Sequence, residues 1–208
     1  TQALRYLKGL PSVFWTVLGI SWFWYYGATF LTQIPQFTKQ TLHGSEPVVT
    51  FLLTVFSVGI GLGSLMCERL AGHRVNLKLV PIGAIGLCLF AIDLYFSVHQ
   101  LQPASHDQSL NLILSQAEYY RTFLDLFCIG VFGGFYIVPL YAYMQAHSPH
   151  SHRARVIAAN NILNALFMVA SAIVAMLALS ELKLGLDELF LLTSGLSIVV
   201  SALVIYKV

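Results

Sequence analysis

Charged residues are scarce in this sequence: Asp, Glu, Lys and Arg make up 10% of its 208 positions, whereas hydrophobic residues make up 57%. Soluble domains carry about a quarter charged residues. A chain this poor in charge cannot cover itself with polar surface in water, so the composition predicts a membrane protein. The net charge of +2 is small and no basic stripe is present, which excludes nucleic acid as an expected partner.

Cysteine and catalytic motifs are also lacking. The three cysteines form no CxxC pair, which excludes a disulfide framework or a zinc site, so we expect no metal and no cofactor. GxSxG, Walker A and HExxH motifs are absent. No His is followed five positions later by Asp, as in glycerolipid acyltransferases. We therefore expect that this chain is not an enzyme.

Long apolar stretches are what the sequence does have. A helix needs about 20 apolar residues to cross the hydrocarbon core, and continuous runs of this kind differ from the ten-residue alternating segments of a membrane barrel. The pattern predicts an all-α polytopic membrane protein, with residues 1–208 forming one six-helix transmembrane domain. The approximate spans are 10–36, 47–67, 78–98, 119–144, 155–179 and 188–206.

The basic residues indicate an orientation. If all six spans cross, eight Lys and Arg lie on the side of the termini and three on the other, and basic residues favour the cytoplasm. We therefore expect both termini to be cytoplasmic. The larger set is Arg5, Lys8, Arg69, Arg74, Lys78, Arg153, Arg155 and Lys207, and the smaller is Lys39, Arg121 and Lys183.

Helix-breaking residues concentrate in spans one and four. Span one contains Gly27 and Pro35, and span four contains Pro139 after Gly133 and Gly134. Interrupted spans at matching positions of two three-helix units are typical of transporter sites. Gly59-x3-Gly63 in span two and Gly130-x3-Gly134 in span four have the spacing that lets helices approach closely. The outer connection between spans three and four could hold a short helix around residues 110–114.

Two acidic residues lie within spans, where charge is costly. Asp125 follows Arg121 by four residues on one helix face, so the two can form a local ion pair or a headgroup contact or gate near the outer mouth. Asp93 lies near the outer end of span three and could be structural or proton-coupling.

Polar side chains in spans one and five are the other candidates for substrate binding. Asn160 and Asn164 share a face of span five and could bridge helices or line a cavity. Span one places polar and aromatic side chains at steps of three and four. From this stripe we predict that Tyr26 and Gln33 line the cavity; the full stripe is Trp22, Tyr26, Thr29, Gln33 and Gln36. The alternative is that Trp15, Trp22 and Trp24 form an interfacial belt.

The turn after span two carries charges able to lock neighbouring helix ends. It reads Glu68-Arg69-Leu-Ala-Gly72-His-Arg74 and is similar to the D-R-x-G-R-R loop of the major facilitator superfamily, with Glu for Asp and one extra residue. With six spans and cytoplasmic termini, the chain resembles the C-terminal half of such a transporter. The resemblance implies a gating role for Glu68, Arg69, Gly72 and Arg74.

Other segments are similar to the lysophospholipid transporter family. They are Ser21-Trp-Phe-Trp24, Gly133-Gly-Phe-Tyr-Ile-Val-Pro139-Leu-Tyr-Ala-Tyr-Met-Gln145 and Val156-Ile-Ala-Ala-Asn-Asn161. The separate transporters carry a basic residue in span one, which here has none between Lys8 and Lys39. Span one is rich in aromatic residues, which looks closer to versions fused to acyltransferase and acyl-carrier-protein synthetase domains.

The resemblance implies a twelve-helix transporter that moves lysophospholipid across the bacterial inner membrane by alternating access. Its partners would be the lysophospholipid substrate, membrane lipid and an N-terminal six-helix half that this sequence lacks. The sequence opens without Met, and we expect it to be a piece of that longer protein. The alternatives are a facilitator for another small molecule and a membrane anchor for a fused acyltransferase.

Overall fold

The computed structural model describes residues 6–72, 74–101 and 107–208, so Arg5 of the basic set lies outside the described residues. The described chain is helical throughout and contains no strand. Its helices are α1 (Pro11–Gln40), α2 (Glu46–Ala71), α3 (Leu79–His99), α4 (Leu110–Ser115), α5 (Tyr120–His147), α6 (Arg153–Ser180) and α7 (Leu186–Lys207). Short 3₁₀ turns, Ala117–Tyr119 and His150–His152, lead into α5 and α6. The expectation of an all-α fold with six long helices is confirmed, and α4 is the short helix foreseen in the long connection.

In the described part of the chain, five helices are long and apolar enough to cross a membrane. With their flanking turns they are Glu46–Ala71, Leu79–His99, Ala117–His147, His150–Ser180 and Leu186–Lys207. At 30 residues α1 is long enough, but its Trp, Tyr, Thr and Gln side chains make it less apolar than the others. That α1 crosses the membrane stays a prediction.

Local sequence accounts for the ends of α1 and α2. Pro11 stands at the start of α1 and Pro47 at the start of α2, where a missing backbone N–H costs no helical hydrogen bond. α2 ends because Gly72 adopts the left-handed conformation at φ 59°, which glycine reaches without steric cost. Its N–H bonds to the Arg69 carbonyl, 3.1 Å away.

The two glycine pairs predicted to allow close approach face each other between α2 and α5. A Cβ placed on Gly59 would collide with the Phe127 carbonyl and the Gly130 Cα, and one placed on Gly63 would collide with the Val131 backbone. A Cβ on Gly134 would in turn meet the backbone of Gly63. The packing interpretation of these motifs is confirmed, because only hydrogen fits where the two backbones meet.

The contacts between helices of different triplets are preserved when the triplet α1–α2–α3 is exchanged with the triplet α5–α6–α7. α2 packs against α5 and its counterpart α6 packs against α1, while α3 packs against α5 and α7 against α1. The counterparts α1 and α5 touch each other, as do α3 and α7. This arrangement supports the two three-helix units that were inferred from the apolar pattern.

Neither predicted interruption breaks a helix. α1 continues through Pro35 to Gln40, and α5 continues through Pro139 to His147. The expectation of broken spans one and four is therefore wrong. Proline removes one helical hydrogen bond, and neighbouring helices of a membrane bundle tolerate this loss.

A small clasp joins the connections of the two triplets at one end of the bundle. The Gln108 N–H donates to the His43 carbonyl at 2.7 Å, and the Ser45 N–H donates to the Gln108 carbonyl at 3.0 Å. The Gln108 side chain, Nε2, donates to the Tyr119 hydroxyl at 2.9 Å. The α1–α2 connection is thus fastened to the segment that leads into α5.

Candidate functional site

A cluster of polar side chains connects α1, α5 and α6. Its centre is Asn164, which is 7% exposed and lies beside Ser21, Trp24 and Asn160. With its amide oriented to suit these neighbours, the Asn164 oxygen accepts from Trp24 Nε1 at 3.1 Å and from Asn160 Nδ2 at 3.0 Å. Its nitrogen donates to Ser21 Oγ at 2.9 Å and to the Asn160 carbonyl at 3.1 Å. Asn164 therefore satisfies donors and acceptors from two helices.

Trp24 extends this cluster to α5. Its indole N–H also lies 3.0 Å from the Tyr141 hydroxyl, so Trp24 can donate to α5 or to α6. Trp24 is 38% exposed and Asn161 is exposed as well, which opens one side of the cluster. Ser21, Trp24, Tyr141, Asn160, Asn161 and Asn164 are hereafter called the polar cluster.

Two features leave room for a ligand at the polar cluster. The Asn160 side-chain oxygen is buried and accepts no hydrogen bond in the described chain, so it can serve a donor that arrives from outside. One turn beyond Trp24, nothing lies within 4 Å of the position that a Cβ on Gly27 would take. A bound group could thus lie against α1 without displacing packed side chains.

Two side chains of the span-one stripe, Trp22 and Tyr26, lie against α7. The Tyr26 hydroxyl lies 3.1 Å from Ser194 Oγ, and Trp22 Nε1 donates to Ser197 Oγ at 2.9 Å, so this end of the stripe turns inward, whereas Gln36 at its other end is exposed. Tyr26 is only 2% exposed and stacks on Phe30. Polar side chains at helical spacing here bridge two helices inside the bundle, and the exposed side of α1 carries Trp24 instead.

Gln33 lies two turns beyond Tyr26 and is half-buried. Its nitrogen is 3.5 Å from the Thr32 hydroxyl, and its buried oxygen has no hydrogen-bond partner among the described residues. No contact of the described chain connects Gln33 with the polar cluster. Substrate contact by Tyr26 or Gln33 stays a prediction.

Arg121 pairs with a different acid from the one that its spacing suggested. The guanidinium reaches across to α3, where Nε donates to Asp93 Oδ2 at 3.0 Å and Nη2 donates to Asp93 Oδ1. Nη1 donates to Gln100 Oε1 at 3.1 Å. The expectation of a local pair with Asp125 is corrected, because two parallel hydrogen bonds to one carboxylate are stronger than a single contact along the helix.

Asp125 points into the bundle and is 1% exposed. Neither of its carboxyl oxygens has a hydrogen-bond partner in the described part of the chain. Asp93 and Ser97 of α3 lie beside it. Arg121 and Asp125 are therefore near one another, at the end of the bundle opposite to the α2–α3 turn, without forming a pair.

The predicted gate residues lie at the end of α2 and in the turn that follows. Glu68, Arg69, Gly72 and Arg74 are all exposed. Glu68 and Arg74 line a cleft of about 270 Å³ whose opposite wall includes Pro139 of α5. The charged turn is thus placed against the part of α5 that carries the proline.

The sequence pattern predicts part of the polar cluster but not all of it. Asn160 and Asn164 were predicted as a pair and lie together. Ser21 and Tyr141 entered only through the family resemblance, and Trp24 entered also as a member of an interfacial tryptophan belt. The signal that could have found Trp24 and Tyr141 is their ability to donate and accept a hydrogen bond inside an apolar segment. Over residues 6–72, 74–101 and 107–208, no group of three or more His, Cys, Asp or Glu side chains could hold a metal ion.

Comparison with known proteins identifies one family. The family model described as Major Facilitator Superfamily matches residues 1–175 of the chain. No curated protein and no solved structure matches it.

Proposed function

The chain belongs to the major facilitator superfamily, and we propose that it forms one half of a transporter that moves lysophospholipid across a bacterial inner membrane by alternating access. Membership makes it a multi-pass membrane protein of the transporter type, in a family whose members are typically transporters rather than enzymes. The substrate, the inner membrane and the partner half belong to the proposal.

The observation that carries the proposal is the polar cluster beside uncovered apolar surface. The unpartnered Asn160 oxygen offers an acceptor to a polar headgroup, and the Trp24 N–H could turn to such a group from its present acceptors, Tyr141 and Asn164. On α6, neighbouring side chains such as Leu166 and Val169 are apolar and more than half exposed. A single-chain phospholipid has matching parts, because its head needs hydrogen bonds and its tail needs apolar surface or lipid.

We propose a gating role for Glu68, Arg69, Gly72 and Arg74. The cleft that includes Glu68, Arg74 and Pro139 supports this assignment, since it connects the charged turn to α5. Movement of α5 at Pro139 would change the shape of the cleft. On the same proposal the opposite end, with Arg121 and Asp125, borders the outer mouth.

A flux assay on the full-length protein in lipid vesicles tests the substrate. We expect wild-type protein to move a fluorescent lysophospholipid between leaflets, and Asn164→Ala to slow this flux about fivefold, because one lost hydrogen bond corresponds to about 1 kcal/mol. Ser171→Ala is the matched control, since among the described residues the Ser171 hydroxyl on α6 bonds only to the Met168 carbonyl of its own helix. Both variants are checked for an unchanged size-exclusion profile.

Each outcome of this assay has a consequence. Absence of flux with well-folded wild-type protein would contradict the lysophospholipid proposal. The remaining candidate functions would then be a facilitator of another small molecule and a membrane anchor. Equal flux in wild type and Asn164→Ala keeps the substrate but removes the polar cluster as its site.

Orientation has its own test. We propose that the turn containing Arg74 and the loop containing Arg153 are cytoplasmic, following the distribution of basic residues. A membrane-impermeant thiol reagent should label a cysteine placed at Lys39 in intact cells, and should label a cysteine placed at Arg74 only after the cells are opened. Labelling of both from the same side would contradict the proposed topology.

A further inference from the structure

A groove of about 300 Å³ lies between α3 and α7, at the end of the bundle where α3 begins and α7 ends. Small side chains leave it open where the two helices pack: its floor includes the buried Ala84 and Ser201, and Ala202 lies beside them. The exposed side chains of Ile85 and Ile198 border it. The volume is at the lower end of the range for ligand pockets, and the lining is that of a site for an apolar chain.

One polar group interrupts this apolar lining. Ser201 is 3% exposed, and its hydroxyl forms no hydrogen bond within the described part of the chain. Ser197, one turn earlier on α7, differs because its hydroxyl bonds to the Thr193 carbonyl and accepts from Trp22. Buried hydroxyl groups usually have a partner, so the Ser201 hydroxyl is available to an acceptor that enters the groove.

Positive charge lies at the mouth of the groove. Tyr206 borders the groove, and the Lys207 ammonium lies 5.3 Å from the centre of the Tyr206 ring and 6.0 Å from that of Trp15. Among the described residues no acid pairs with Lys207. Lys78 is also exposed and precedes Pro81, which lines the groove, by three positions. The mouth is therefore suited to an anionic group.

The whole of this end of the bundle has the same sign of charge. Within the described ranges it carries seven Lys and Arg residues, and Glu68 is its one acid. Basic residues near a membrane surface attract anionic lipids by about 1 kcal/mol each. A zwitterionic lipid has no net charge and lacks this attraction, so the charges favour an anionic lipid over a zwitterionic one.

We propose that the groove binds one acyl chain of an anionic phospholipid of the surrounding membrane, whose phosphate contacts Lys207. At 1.5 Å per residue, Ser201 lies about 9 Å deeper along α7 than Lys207. The Ser201 hydroxyl therefore meets the glycerol ester region, where it donates to a carbonyl oxygen, while the flexible Lys207 side chain reaches the phosphate.

The bound lipid contacts both triplets, because α3 belongs to the first and α7 to the second. The clasp at Gln108 joins the triplets at the opposite end of the bundle. The lipid bridges them at the end that the clasp leaves free. The groove shares no residue with the polar cluster, so the inference does not depend on which substrate the protein moves.

Native mass spectrometry of the full-length protein, titrated with phosphatidylglycerol or with phosphatidylcholine of the same acyl chains, tests this site. We expect the wild type to bind its first phosphatidylglycerol more tightly than phosphatidylcholine, and Ala202→Phe to lose this lipid because the ring fills the groove. Leu203→Phe is the matched control, since Leu203 is exposed and does not line the groove. Equal affinity for the two lipids, or unchanged binding in Ala202→Phe, overturns the proposal.

Lys207→Gln supplies an independent readout if Ala202→Phe folds poorly. It should weaken phosphatidylglycerol binding about fivefold, as expected for one basic residue, and leave phosphatidylcholine binding unchanged. Lys183→Gln makes the same charge change at the opposite end and should have no effect. Equal weakening in both variants overturns the site. A photoreactive residue at Ala202 identifies the occupant in cells, where capture of phospholipid is expected and capture of a protein segment overturns the proposal.

Discussion

Helices α5 and α6 have the same length and opposite surroundings. Each has 28 residues, but 72% of the most apolar part of α5 is buried, against 22% for α6. α5 packs against α1, α2 and α3, whereas α6 packs mainly against α1. Where α5 meets α2 and α1 it carries Gly130, Gly133 and Gly134, while the exposed face of α6 carries large apolar side chains.

This difference bears on what determines which helix lies at the centre of a membrane bundle. Apolarity does not decide the position, because lipid is as apolar as the bundle interior. The glycines of α5 contribute to its position, since they allow the α2 backbone to approach and van der Waals contacts to form. The face of α6 that displays Leu166, Val169 and Met176 is covered by lipid or by protein outside this chain.

The largest expected effect comes from comparing two single variants, each of which shortens one leucine to alanine, on α5 in one and on α6 in the other. Leu126 of α5 is 0% exposed and Leu166 of α6 is 56% exposed. We expect Leu126→Ala to lower the free energy of unfolding by about 2–5 kcal/mol, because it leaves a cavity. Leu166→Ala should change it by less than about 0.5 kcal/mol. Thermal unfolding in detergent measures both, and equal destabilisation would refute the contrast between the helices.

A smaller effect is expected from crowding the contact that places α5 at the centre. A side chain at Gly63 would meet the Val131 backbone, whereas nothing lies within 4 Å of a Cβ at Gly61, on the same helix. Gly63→Val should therefore cost about 1–3 kcal/mol by overpacking. Gly61→Val has the same helix propensity and should be nearly neutral. If the two variants unfold at the same temperature, backbone approach is not what holds α2 on α5.

Sequence patterns identified the helices and the glycine contacts because both depend on local spacing. The predicted span 119–144 and the observed helix Tyr120–His147 agree within three residues at each end. The pair Gly59 and Gly63 is four residues apart on one face, and this periodicity reveals the face directly.

Partners across the bundle could not be obtained in this way. Periodicity shows that Tyr26 and Trp22 share a face of α1, but it does not show that this face meets Ser194 and Ser197 of α7. In water the polar face of a helix points outward, which gives the pattern a direction. Inside a membrane that contrast is lost, so the direction has to come from the packing.

The same limit applies to Arg121. Spacing offered Asp125 as its partner, and the arrangement of α3 and α5 offers Asp93 with better geometry. A competing acid on another helix cannot be recognised from one helix alone. The polar cluster was only half predicted for this reason, since Asn160 and Asn164 are neighbours in sequence and Trp24 and Tyr141 are not.

The clasp at Gln108 restricts how this bundle can move. It fixes the entrance of α2 to the approach of α5, so the two triplets are restrained from parting at that end. We expect the six long helices to rotate together as one rigid body. The axis of this rotation would lie at the exposed face of α6, where lipid or protein outside this chain covers it. Relative motion inside the bundle would then concentrate at the other end, around the cleft next to Pro139.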